Sequence, residues 1–123
     1  MKKIFITLFL FVSLSANAVE KKTNFSEKVF TDAINSGKTV VVNSYEVWCG
    51  TCGQQTKILH QAEKEFKDIV FLSYEQSKNK DVAQLLRIKF WTTIVVYKGN
   101  NEVARVVGQT DKKIIYAAII KGI

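Results

Sequence analysis

Val40, Val41 and Val42 stand in a row inside "KTVVVNSY", and this run limits the folds open to the chain. A strand sends successive side chains to opposite faces of its sheet, so three adjacent valines put apolar surface on both. Such a strand needs cover on each side, which a sheet with one wet face does not supply. The flanking segments offer helices for that cover. Before the run, "NFSEKVFTDAINSG" carries Val29, Phe30, Ala33 and Ile34 at helical spacing, with Asn24 or Ser26 as cap and Gly37 as stop. After it, from Gln54 to about Lys67, Ile58, Leu59, Ala62 and Phe66 form an apolar stripe, and Glu63 is spaced to pair with Lys67.

Further on, "DIVFLSYE" reads as a second buried strand and "NKDVAQLLRI" as a short helix stopping near Lys89. "TTIVVYKGNNEVARVVG" splits into two strands about a turn at Gly99-Asn100-Asn101. The closing "TDKKIIYAAIIKGI" is a helix capped by Thr110 or Asp111, apolar at positions 114, 115, 118 and 119. The expected order is helix, strand, helix, strand, helix, strand, strand, helix. That order predicts an α/β fold with a mixed central sheet of about four strands, flanked by helices on both faces.

The first residues have a different character. "MKKIFITLFLFVSLSANAVEKK" begins with two lysines, continues with an apolar run from Ile4 to Leu14, and reaches Ala16 and Ala18 in A-x-A spacing. This is the pattern of a secretory signal peptide over residues 1–18, with cleavage expected after Ala18 and one domain over 19–123. The apolar run falls short of the roughly 20 residues a membrane-crossing helix needs. Membrane contact is therefore expected only through this segment, should it stay uncleaved. The expected location is the periplasm or another exported site. Taking Lys2 and Lys3 from the 18 basic residues leaves 16 against 11 acidic, a net charge of +5. These lysines are scattered, with no basic run interleaved with aromatics, so a nucleic-acid partner is not expected.

Cys49 and Cys52 are the only cysteines, set in "NSYEVWCGTCGQQTKIL". A disulfide between them closes a very short loop and removes little entropy from the unfolded chain, so the pair is a poor staple. Its placement points to chemistry instead. Cys49 follows a buried strand and stands where a helix begins, beside unpaired N–H groups and a partial positive charge that favour a thiolate. The first cysteine is then the more exposed and attacks, while Cys52, one turn further in, resolves the mixed disulfide. Zinc would want four ligands, and the chain offers two cysteines and His60. No metal and no organic cofactor are expected. A Cu(I) site on the two thiolates and a binding module without turnover are the alternatives.

"VVVNSYEVWCGTC" resembles the active-site strand and W-C-G-P-C motif of the thioredoxins. The likeness extends from about Phe25 to the end, through "TTIVVYKGNNE" and Gly108. It implies a thioredoxin fold and a thiol–disulfide oxidoreductase acting on cysteine-bearing proteins, with a redox partner resetting the Cys49–Cys52 pair. It also implies a client-binding surface made by Trp48, Gly50, Thr51 and Thr92. Several positions depart from the family. Thr51 replaces the proline between the cysteines, Thr92 the family's cis-proline, and Lys57 a helix-kinking proline; the chain has no proline at all. Asn43 stands where the family has a buried aspartate, and Ser73 replaces a lysine often found near that aspartate. A non-proline cis bond costs about 3–4 kcal/mol, so the form of the Trp91–Thr92 bond is left open. If the loop keeps its place, the Thr92 hydroxyl faces the disulfide. Tyr45 is read as packing, and Phe90 and Trp91 as buried against the sheet. Glu46 is read as pointing away, and His60 as carried away from the cysteines by two turns of helix. The absence of the helical insertion found in dedicated periplasmic oxidants favours a reducing or isomerase-supporting role.

Overall fold

The computed structural model describes residues 24–123; the N-terminal segment read as a leader lies outside them. The elements run α1 (Glu27–Asn35), β1 (Thr39–Tyr45), α2 (Gly50–Glu65), β2 (Val70–Glu75), α3 (Lys80–Leu85), β3 (Thr93–Lys98), β4 (Asn101–Val107) and α4 (Lys112–Ile120). This is the order read from the sequence. The strands form one sheet in the order β2-β1-β3-β4. β1 and β2 are parallel and joined through α2, whereas β3 is antiparallel to both β1 and β4.

The valine run does what its pattern requires. Val40 and Val42 face a cluster with Phe30, Ala33, Leu72, Tyr74 and Val95. Val41 faces the other way, onto Leu59, Ala62, Ile94, Ile115 and Ile119. α1 and α3 thus cover one face of the sheet, α2 and α4 the other. On the first face burial pushes the Tyr97 hydroxyl up to about 12, with the Glu102 carboxylate adding to the rise.

Local signals set the helix ends. Ser26 caps α1 by accepting from the Val29 N–H at 3.4 Å, and Asp111 caps α4 by accepting from the Lys113 N–H at 2.8 Å. Gly37, at φ 75°, ends α1 in the left-handed turn that glycine adopts without steric cost. Three expectations need correction. α2 stops at Glu65, so Glu63 and Lys67 no longer share a helix face, and no ion pair between them is among those of the described residues. α3 ends at Leu85, before Lys89, because the Leu86 N–H already closes on Val82 and Arg87 turns left-handed. β2 is an edge strand with several half-buried residues rather than a fully buried one. Its outer side is met by the incoming chain, where the Phe25 N–H donates to the Ser73 carbonyl at 2.7 Å.

Candidate active site

β1 ends at Tyr45 and a tight turn follows, closed by the Cys49 N–H on the Glu46 carbonyl at 3.2 Å. Cys49 is the N-cap of α2, with extended backbone (φ −91°, ψ 110°), and its Sγ accepts from the Cys52 N–H at 3.1 Å. That role normally falls to a serine or aspartate oxygen, so the sulfur sits against the unpaired donors of the first helical turn. Cys49 and Cys52 are joined as a disulfide. Cys49 is half-buried and Cys52 only 2% exposed, the order of accessibility expected from the motif. Gly50 is exposed and Thr51 half-buried on the rim.

Trp48 stands 68% exposed beside the disulfide. Its ring meets that of Trp91 edge-on, with 5.2 Å between centroids. Trp91 is 41% exposed and Phe90 61%, so both depart from the expected burial against the sheet. The reason is backbone geometry at the next residue. Thr92 has φ 67°, a left-handed conformation that is rare for a β-branched side chain, and β3 begins only at Thr93. The turn lifts residues 90 and 91 out of the sheet and onto the rim of the site. No cis peptide bond occurs among the described residues, so Trp91–Thr92 is trans. The Thr92 hydroxyl donates to the Trp91 carbonyl instead of being left to face the disulfide.

Remote groups hold this turn. The Thr92 N–H donates to the Ser44 carbonyl at 2.9 Å, and the Thr92 carbonyl accepts from the Gly108 N–H at 2.9 Å. The Ser44 hydroxyl donates to the Phe90 carbonyl at 2.8 Å and accepts from the Thr93 N–H at 3.3 Å. The Gln55 side-chain N–H₂ donates to the carbonyls of Thr92 at 3.0 Å and Gln109 at 2.9 Å. Gln55 is fully buried, and the sequence reading missed it. The signal was present: counting back by helical period from Leu59 and Ala62 reaches Gln55 and Cys52, which share the buried face of α2. A buried glutamine among apolar neighbours has polar atoms to satisfy, and here it satisfies them on two loops.

Asn43 is 3% exposed, with its amide near the Ser44 and Thr93 carbonyls and the Gln55 Oε1 at 3.4–3.5 Å. Between α2 and the sheet, Asn43, Thr56, Ser73 and their neighbours line a partly open slot of about 40 Å³, room for a water molecule. Glu46, read as pointing away, is bound: its carboxylate accepts from the Ser77 N–H at 2.6 Å and the Ser77 hydroxyl at 3.0 Å. His60 lies two turns of α2 beyond Cys52, as read, but on the helix face that meets the site. It borders the same open groove as Cys49 and Cys52, along with Gly53, Thr56 and Lys57, because these residues recur on one face of α2. Tyr45, half-buried as a packing residue, borders that groove too. Among the described residues no group of three or more His, Cys, Asp or Glu side chains gathers to hold a metal ion.

The geometry is that of a helix-capping disulfide beside an aromatic rim. The sequence profile of the thioredoxin family matches residues 17–121. The chain is 33% identical over 84 residues to Thioredoxin-2 of Saccharomyces cerevisiae, covering 68% of this chain and 81% of that protein. It is 32% identical over 96 residues to the thioredoxin of Chlamydia pneumoniae, covering 78% and 93%. In three dimensions it is similar to the crystal structure of Trxlp from Edwardsiella tarda, with a TM-score of 0.75 at 26% identity, over 78% of this chain and 95% of that one. The chain belongs to the thioredoxin family and is a thiol–disulfide oxidoreductase.

Proposed function

We propose that the protein is an exported thiol–disulfide oxidoreductase, working outside the cytoplasm on the cysteines of other proteins, chiefly as a reductant. The leader-like residues 1–18, with cleavage after Ala18 and a mature domain over 19–123, support the location. The reading of the chemistry rests above all on the seat of Cys49. In the reduced state the Cys52 N–H and the positive end of α2 are positioned to stabilise a Cys49 thiolate. That thiolate attacks one sulfur of a client disulfide, the client S–S bond breaks, and the leaving sulfur departs as a thiolate that takes a proton from water. Cys52 then loses its proton and attacks Cys49 Sγ. The mixed disulfide breaks, the second client thiol is released, and two electrons have passed from the pair to the client.

Neither Asn43 nor Gln55 titrates, so the Cys52 proton leaves by way of water or another group of the groove rather than through a carboxylate at position 43. Trp48, Gly50, Thr51 and the Thr92 turn form the surface on which the client lies. A dithiol partner outside the chain returns the pair to the reduced form.

Titration of the pair in glutathione buffers tests the direction. A reductant equilibrates well below the potential of the glutathione pool, about 30 mV marking each tenfold in equilibrium constant. A pair that oxidises reduced glutathione under the same conditions overturns the reducing assignment. Recovery of the protein in the periplasmic fraction tests the location, and a mass lacking residues 1–18 tests cleavage after Ala18.

A further inference from the structure

We propose that Gln55 is a positioning residue: its side-chain amide latches the Thr92 turn to the cysteine-bearing helix and so sets how tightly a protein client is gripped, without taking part in the thiol chemistry. The inference rests on the dithiol reading of Cys49 and Cys52 and deepens it. Gln55 lies one helical turn beyond Cys52 and is fully enclosed. Both of its N–H donors are spent, one on the Thr92 carbonyl at 3.0 Å and one on the Gln109 carbonyl at 2.9 Å. Its oxygen faces the Asn43 amide at 3.5 Å. One side chain thereby joins the active-site helix, the end of β1, the turn before β3 and the loop before α4.

The turn needs such a hold. A left-handed threonine relaxes unless its surroundings over-determine it, and the remaining ties on the Thr92 backbone are single bonds to Ser44 and Gly108. The turn carries Trp91, and Trp91 carries one half of the aromatic contact with Trp48. Loosening the amide therefore loosens the rim on which a protein client must lie, while Cys49 keeps its cap and its access. A small disulfide needs only to reach Cys49. The latch predicts a split between the two kinds of substrate.

The test uses Gln55→Met, which keeps side-chain length and volume but removes both donors, and Gln55→Asn, which keeps an amide one methylene short. In Gln55→Met the KM for insulin reduction rises about tenfold with kcat within about twofold. Hydroxyethyl disulfide turnover and the alkylation rate of reduced Cys49 each stay within about twofold, and ring-to-ring NOEs between Trp48 and Trp91 weaken. Gln55→Asn shows a smaller rise, and it carries the comparison alone should Gln55→Met not fold. Insulin KM unchanged in folded variants, or protein and small-disulfide rates falling by one common factor, overturns the latch. Cys49→Ser keeps the two readings apart. If that variant retains insulin turnover, the dithiol reading fails, and the NOE comparison alone then decides for or against the latch.

Discussion

The two segments that meet where Trp48 touches Trp91 are held in opposite ways. On the helix side, residues 48–52 adopt an ordinary helix start: extended cap, first turn, and a sulfur accepting a nearby N–H. Its hydrogen bonds span at most four residues, and no residue is in a disfavoured backbone region. Across the gap, Thr92 has a backbone conformation its side chain disfavours, kept by Ser44, Gln55 and Gly108 from three other parts of the chain. The reactive sulfur is locally specified, whereas the surface that presents a client to it is borrowed from the tertiary structure. Disturbing the first should abolish chemistry with little change in fold. Disturbing the second should change stability and client affinity while leaving the thiol reactive.

The sharpest way to divide them is Cys49→Ser, which removes the nucleophile and leaves an oxygen cap. Insulin reduction is expected to fall at least about a thousandfold, with the melting temperature close to that of the reduced protein. Substantial residual turnover would show that the helix start is not the reactive half. Next in size is Ser44→Ala, which strips the buried hydroxyl that serves both Phe90 and Thr93. It is expected to cost about 1–3 kcal/mol in urea unfolding, with Cys49 alkylation unaffected. A neutral result would mean that the turn does not depend on its remote partners. Thr92→Asn goes the other way, since asparagine tolerates the left-handed region. A gain of up to about 1 kcal/mol is expected, and a loss would contradict the strained geometry. Smallest is Ser26→Ala at the far helix, whose cap bond is long; a cost of about 0.5 kcal/mol and full activity set the background for the other three.

Much of this protein was readable in one dimension because its signals are periodic or local. The valine run announced a strand covered on both faces, and the helical stripes supplied the layers that cover it. The caps at Ser26 and Asp111 and the hairpin at Gly99-Asn100 were each written within a few residues. The cysteine site was legible for the same reason, since a C-x-x-C after a buried strand becomes a helix cap by local geometry alone. His60 lies two turns from the cysteines, as counted, and only the shared helix face brings it to the border of their groove. Phe90 and Trp91 were misjudged because apolar residues before a strand are usually buried, and only the left-handed turn at Thr92 exposes them.

The residue types and their spacing decided the element order, the two-sided core and the seat of Cys49, since helix periodicity, strand alternation and capping act over a few bonds. What the fold alone decided is the backbone of Thr92, the reach of Gln55 to two loops and the aromatic rim. These depend on groups 16 to 54 residues apart in the chain, and such groups meet only after the sheet has formed and α2 has docked on it. A conformation that threonine disfavours cannot be encoded by threonine; it persists because distant hydrogen bonds outweigh its strain.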